Sequence, residues 1–226
     1  MYQSEFNNTH YELGTSGFLY RSNKLMYDHS TKSLWSTLHG EPVVGPLVGK
    51  GIKLKRDYLV TTTWGEWKKQ HPDTTVLSLD TGHNRNYGEG VAYQAYFAND
   101  RLMFSVPELD TRLPNKAEVV ALREGNDQLA IHEAFLRRNR LYRDKLDGKS
   151  IVVFTDHAGG NRVYESGDVK FVSISGQWNL VDATGATWKV TEENLTGNGR
   201  KLKRVASHRA FWFGWKAQFP DTRLVK

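Results

Sequence analysis

At 226 residues and 25.8 kDa, with a mean hydropathy of −0.59, the chain is long enough to bury a self-sufficient core, and no apolar run approaches the roughly 18 residues needed to span a bilayer. Cysteine is absent, which excludes a disulfide framework, a thiol nucleophile and Cys-ligated zinc or iron–sulfur sites, so chemistry falls to Asp, Glu, His, Tyr, Ser, Arg or Lys. A net charge of +6 suits an acidic partner, but 31 basic residues stand against 25 acidic ones with no long basic tract, and nucleic acid is not favoured.

The chain opens on MYQSEFNNTHYELG, a polar start without the charged and apolar regions of a signal peptide; taken as given, it is expected in the cytoplasm. Short β-rich runs bounded by turn residues predict strands around Tyr11–Gly14, Lys24–Asp28, Ser33–Ser36 and Ile52–Lys55. Thr63 with Glu66 three residues on is a capping-box pattern. The helix it starts, with Trp64 and Trp67 on one face, ends at His71-Pro72 because the residue before proline avoids the α region. Val76–Leu79 is expected to be a strand that leads into a polar, Gly-rich loop. From Gln128 to about Tyr142, the spacing of Leu129, His132, Phe135, Leu136 and Leu141 predicts an amphipathic helix. Strands follow at Ile151–Thr155, Val169–Ser173 and Thr187–Val190, and a second Trp-rich helix closes the chain.

The two closing helices belong to an internal repeat. TWGEWKKQHPDTTVL from Thr63 lies over FWFGWKAQFPDTRLV from Phe211 without a gap and with seven identities in fifteen positions, where unrelated sequence gives about one. In the same register, LVGKGIKLKR from Leu47 matches LTGNGRKLKR from Leu195 at seven of ten positions. With gaps, Asp28–Trp35 resembles Asp182–Trp188, and Tyr2-Gln3-Ser4 resembles Tyr164-Glu165-Ser166. The pattern predicts an α+β fold, mainly antiparallel β, with two tandem-duplicated lobes each closed by a short Trp-rich helix. The first repeat spans 1–77 and is N-terminally incomplete; a loop-rich connector covers 78–115, and the second, complete repeat covers 116–226. Lys116–Arg162 has no counterpart before Tyr2. Met1 is then either an internal methionine of a longer parent or the start of a family member that evolved without those strands.

GTSGFLYRSNKLMYDHSTKSLWSTLHGEPVVGPLVG, continued by TWGEWKKQHPDTTVLSLDTGHNRNYG and the closing FWFGWKAQFPDT, resembles a bacterial and archaeal family known only as domain of unknown function 3179. The resemblance implies longer, commonly exported relatives, periplasmic or secreted, with an added N-terminal portion carrying a Cys-Pro-x-Cys type motif. That motif is missing here, and the family brings no mechanism with it.

The duplication separates scaffold from candidate chemistry: residues shared by both copies are read as structural, and polar residues of the first copy that the second replaces are the candidates. Glu66 faces Gly214, His71 faces Phe219, and Tyr20 and Arg21 lie in a segment the second copy shortens. The densest cluster is Asp80-Thr81-Gly82-His83-Asn84-Arg85-Asn86-Tyr87-Gly88-Glu89. Three readings stand. As a structural turn, Asp and Asn cap their own backbone. As a hard-cation site for a divalent ion such as calcium, Asp80, Asn84, Asn86 and Glu89 supply oxygens. As a catalytic site, His83 or His71 acts as base beside Asp80 and Glu66, with Arg85, Tyr87, Tyr20 and Arg21 binding substrate.

G-x-S-x-G, H-E-x-x-H, Walker A and G-x-G-x-x-G are absent. The tryptophans could stack sugars but four occupy repeat positions and are expected in the core. The leading expectation is a hydrolase of a small ester, lactone or glycosidic bond, metal-assisted or not, with its His/carboxylate site in the first lobe. The alternatives are a non-enzymatic metal- or small-ligand-binding extracytoplasmic module and a structural partner-binding domain. An exposed first-lobe edge is expected to invite strand addition or homo-oligomerisation.

Overall fold

Paired left-handed residues set the first hairpins. In the computed structural model, which describes residues 1–226, Asn7 and Asn8 turn β1 (Glu5–Phe6) into β2 (Thr9–His10), and Arg21 and Ser22 turn β3 (Leu13–Tyr20) into β4 (Asn23–Asp28). Two consecutive positive φ angles match the right-handed twist of the flanking strands. With β5 (Leu34–Ser36) and β6 (Glu41–Val44), β3 and β4 form an antiparallel meander. The chain continues through α1 (Trp64–Gln70), a long stretch whose only helix is α2 (Gln94–Phe97), then β7 (Glu118–Glu124), β8 (Asp127–His132) and α3 (Glu133–Arg138). Next come β9 (Leu141–Leu146), β10 (Lys149–Thr155) and β11 (Asn161–Glu165), ordered β11-β10-β9 in one sheet. The second meander is β12 (Phe171–Ser175), β13 (Asn179–Asp182), β14 (Thr187–Val190), β15 (Asn194–Gly197) and β16 (Arg200–Lys203). The chain closes with β17 (Ser207–Phe211), α4 (Trp212–Gln218) and β18 (Arg223–Val225). The fold is α+β, mainly antiparallel β.

The meanders repeat down to single hydrogen bonds. Asp28 accepts from the Thr31 hydroxyl at 2.7 Å and the Trp35 indole at 3.2 Å; Asp182 accepts from the Thr184 hydroxyl at 2.6 Å and the Trp188 indole at 2.8 Å. Each buried aspartate thus closes a turn and holds the tryptophan at the centre of its sheet's core. Tyr2 bridges Arg56 and donates to Leu38 O at 2.6 Å, while Tyr164 bridges Arg204 and donates to Thr191 O at 2.6 Å. Both acceptors lie three residues after the matched tryptophan. The closing helices also agree: Trp67 donates to Thr74 and Trp215 to Thr222, and Lys68 and Lys216 each donate to the carbonyl of the following proline.

Three expectations are corrected. Gln128–Tyr142 is not one helix but β8, the short α3 and the start of β9. In β8, Leu129 and Ile131 enter one core cluster with Leu122, Leu136 and Val153, while Ala130 enters another with Trp212 and Trp215. A strand buried on both faces shows no alternation, so its apolar run imitates a helix face. Ile52–Lys55 is irregular, tied by the Leu54 N–H to Gly40 O at 2.9 Å rather than by a ladder. Val76–Leu79 forms no strand, and Leu77 is 95% exposed.

The tryptophan pairs also part company: Trp212 and Trp215 are 0% and 1% exposed, whereas Trp64 and Trp67 are 53% and 42% exposed. The hairpin β7–β8 explains the contrast. In the sheet order β17-β7-β8-β18, β17 pairs antiparallel with β7 and β18 parallel with β8, and α4 packs over β7 between them. The equivalent first-copy segments, 59–63 and 75–77, belong to no strand.

The copies exchange their closing helices. The second copy's α4 touches the first meander, where Arg21 donates to Ala217 O at 2.8 Å, Gln218 donates to Tyr20 O at 2.8 Å and Phe219 stacks on His39 at 4.7 Å. The first copy's α1 touches the second meander, where Gln177 donates to Glu66 at 3.4 Å. The exchange crosses at equivalent positions, the Leu59 N–H donating to Ser207 O at 3.0 Å.

Candidate functional site

The Asp80–Glu89 loop is exposed along its whole length and is held by local bonds: Asp80 N–H to the Ser78 hydroxyl, His83 N–H to the Thr81 hydroxyl, Gly88 N–H to Asn86, and Thr81 with Tyr87 at 2.9 Å. No hydrogen bond or ion pair joins Asp80, His83, Arg85, Asn84 or Glu89 to one another, and none connects them with His71 or Glu66. No group of three or more His, Asp or Glu side chains is placed to hold a metal ion. Tyr20 and Arg21 serve as the seat of α4, and Arg21 stacks on the Tyr20 ring at 5.3 Å. On α1, Glu66 is bonded to Gln70 at 2.9 Å.

Two sequence candidates line concave sites: Tyr20 in a groove of the first meander with Phe18, Leu25 and Val44, and, in a second cleft, His71. It caps α1 and stacks on Trp67 with ring centroids 4.0 Å apart. The two rings wall a cleft of about 240 Å³ that runs between α1 and the second meander. Tyr58, Leu59, Val60 and Thr62 form one side, and Arg162 and Glu192 the other.

The charged side of this cleft is built from the second copy's hairpin at 155–162. Asp156 is buried; one carboxylate oxygen accepts from the N–H groups of Ala158 and Gly160, both at 2.8 Å, and the other from Arg162 at 2.9 Å. Gly160 is required there, since a Cβ would stand 2.5 Å from that second oxygen. Arg162, 2% exposed, also donates through Nε to Glu192 at 2.8 Å and lies over the Trp178 ring at 4.4 Å. Removing one partner of such a buried pair strands the other charge, so this cluster fixes the hairpin rather than waiting for a ligand.

Arg204 differs. Its side chain is 1% exposed and sandwiched between the rings of Tyr58 at 4.6 Å and Tyr164 at 5.2 Å. Its Nη1 reaches the Tyr164 hydroxyl at 3.5 Å and Glu192 at 3.6 Å, but Nε and Nη2 are buried without a partner. The Thr62 hydroxyl, which lines the cleft, is also buried and unpartnered. Burial pushes the Tyr164 hydroxyl above its ordinary pKa against the opposing pull of Arg204. Unmet buried donors are rare because each forfeits its hydration.

Arg162, Glu192, Tyr58 and Arg204 escaped sequence reasoning: Arg204 is shared between the copies and was treated as scaffold, Arg162 and Glu192 lie in the second copy where no candidates were sought, and Tyr58, which faces Ala206, met the rule and was passed over. Arg204 matches Arg56, and its usable signal was a shared residue whose surroundings are not shared.

The architecture defines a duplicated β protein whose copies exchange closing helices. The family model described as Protein of unknown function (DUF3179) matches residues 1–222, and the chain belongs to that family. No curated protein and no solved structure matches the chain.

Proposed function

We infer that this protein is a non-enzymatic binding module whose seat is the cleft between α1 and the second meander. One observation carries the reading: Arg204 is buried beside the cleft with two N–H donors that nothing in the fold accepts. A fitting ligand presents a hydrogen-bond acceptor to that guanidinium and an apolar part to Trp67, Leu59 and Val60. Binding is favoured over hydrolysis because the two side chains of the cleft that could take a proton are not arranged as a base and its orienting partner: Glu192 is engaged by Arg162, and His71 has no hydrogen bond or ion pair to a carboxylate.

The test is a thermal-shift series with benzoate and N-acetyl-Val-Ala amide as acceptor-bearing probes, since a ligand that binds only the folded state raises apparent stability. The probes should raise the Tm of the wild type and leave Trp67→Ala unmoved. Hydrolysis of an ester such as p-nitrophenyl acetate that His71→Ala abolishes would overturn the reading in favour of the hydrolase.

A further inference from the structure

The two meanders differ on the face turned away from their cores. Matching strand pairs fix the comparison: Met26 opposite Trp35 corresponds to Leu180 opposite Trp188, and all four side chains belong to the cores. On the other face, Leu25, Leu34 and Val48 stand where the second copy has Asn179, Thr187 and Thr196. The second copy's face is open to water, with Thr187 and Lys189 exposed, because the strands that cover that meander pack on its inner side, where Val152, Phe154 and Tyr164 join Leu180, Trp188 and Leu195. A sheet face left in water takes polar residues. The second copy obeys this and the first does not.

The apolar face is also concave. The hairpin β3–β4 is longer than β12–β13: ten residues, 16–25, lie between Thr15 and its partner Met26, against five, 175–179, between Ile174 and Leu180. The added length holds a bulge around Gly17, whose φ is +79°; the Ser16 hydroxyl donates to Leu25 O at 2.6 Å and accepts from the Phe18 N–H at 3.1 Å. Phe18, Leu19 and Tyr20 are thereby brought beside Leu25, Leu34 and Val48, and together they line a groove of about 620 Å³, within the roughly 300–1,000 Å³ of small-molecule sites. Bonds from Arg21 and Gln218 pin the hairpin's turn to α4, so this wall is fixed. Phe18 is 62% and Val48 48% exposed, so the fold leaves the groove's apolar surface in water.

The surroundings of the groove are basic. Residues 13–56 carry seven Lys and Arg against two Asp and Glu, so +5 of the chain's net +6 lies in this segment. Lys24 pairs with Leu19 across the hairpin and Lys50 follows Val48 by two residues; both are exposed and neither is in an ion pair. Glu41, the one carboxylate that lines the groove, has Lys53 at 3.8 Å. Only Tyr20, His39 and Glu41 among the lining side chains can form hydrogen bonds, too few for the amides of a peptide, so an alkyl chain fits the floor better. We propose that this groove, separate from the cleft at α1, binds a single-chain amphiphile with an anionic head, of the fatty-acid class, its chain laid along Leu25, Leu34 and Val48 and its head among Lys24, Lys50 and Lys53. Burial of the chain supplies the affinity, and the lysines select the charge of the head.

Isothermal titration calorimetry of the full chain with sodium decanoate, kept below its micelle concentration, tests this. Decanoate should bind the wild type, and the double variant Leu34→Thr/Val48→Thr, which installs the second copy's residues on the same face, should bind it about tenfold more weakly. Decyltrimethylammonium, the same chain length with a cationic head, should bind the wild type more weakly than decanoate does. Lys50→Glu, at an exposed position that leaves the fold intact, should narrow that difference. No binding of decanoate, equal affinity for the two heads, or full affinity in the double variant overturns the proposal. So does decanoate binding that Trp67→Ala abolishes, which places the ligand in the cleft and leaves the binding reading standing. Binding to vesicles of phosphatidylcholine and phosphatidylglycerol without binding of monomeric decanoate makes a bilayer the occupant, and a dimer that the double variant dissociates makes it a second copy; either result also overturns the proposal.

Discussion

Single side chains carry the repeat more faithfully than strands do. Asp182 is held down to about 2 by the hydroxyl of Thr184 and the indole of Trp188, and Asp28 lies below its ordinary value because hydrogen bonds from Thr31 and Trp35 outweigh its burial. A depressed carboxylate stabilises the fold above its unfolded pKa and loses that contribution as pH falls through the folded one. Urea midpoints should therefore drop between about pH 4 and 2, less steeply in Asp182→Asn. His208 works over a different range. Burial lowers its pKa to about 4, with Arg56 and Arg123 adding to the effect, and its Nε2 has no partner. The unfolded chain then binds the extra proton first, so stability falls from about pH 6.5 toward 4, by at most roughly 3 kcal/mol. His208→Gln should flatten that slope in a denaturation series. At the cleft, Gly160→Ala forces a Cβ against Asp156 and should cost about 1–3 kcal/mol, read as a lowered Tm.

The two closing helices offer an experiment in which sequence is nearly constant and environment differs. Trp215→Ala removes a fully buried ring that packs against Val119, Ala121 and Ala130 and should cost about 3–5 kcal/mol. Trp67→Ala removes a half-exposed ring and should cost less than about 1 kcal/mol, both read from urea unfolding. Local signals located these helices: the Thr63 hydroxyl accepts from the Glu66 N–H at 3.3 Å and α1 stops at Gln70, as capping and the His71-Pro72 pair require. Only half of the capping box forms, because Glu66 turns to Gln70. The strands β4, β5, β10, β12 and β14 were legible from turn residues and β-branched runs. β7 and β8 were not, because burial on both faces erases periodicity. Val76–Leu79 has strand composition but no partner, and a strand without a partner is not a strand.

At the scale of the molecule, duplication was visible in the chain, but exchange was not. The register that pairs Leu47–Leu77 with Leu195–Val225 says which residues are equivalent, and nothing in it says that each closing helix lies on the other copy's meander. That depends on contacts such as Arg21 with Ala217 and Gln177 with Glu66, which join residues far apart in sequence. The site was hidden for the same reason: the polar Asp80–Glu89 loop drew attention by composition, whereas Arg204 matters through what its twin Arg56 has and it lacks. The central claim, that one copy's end is folded into a sheet and the other's is open, is tested most directly by amide hydrogen exchange on the free protein. Val76–Leu79 should exchange at rates near those of unstructured chain while Arg223–Val225 and Ser207–Phe211 remain protected, because only the latter pair with β7 and β8. Equal protection of the equivalent segments would contradict the account.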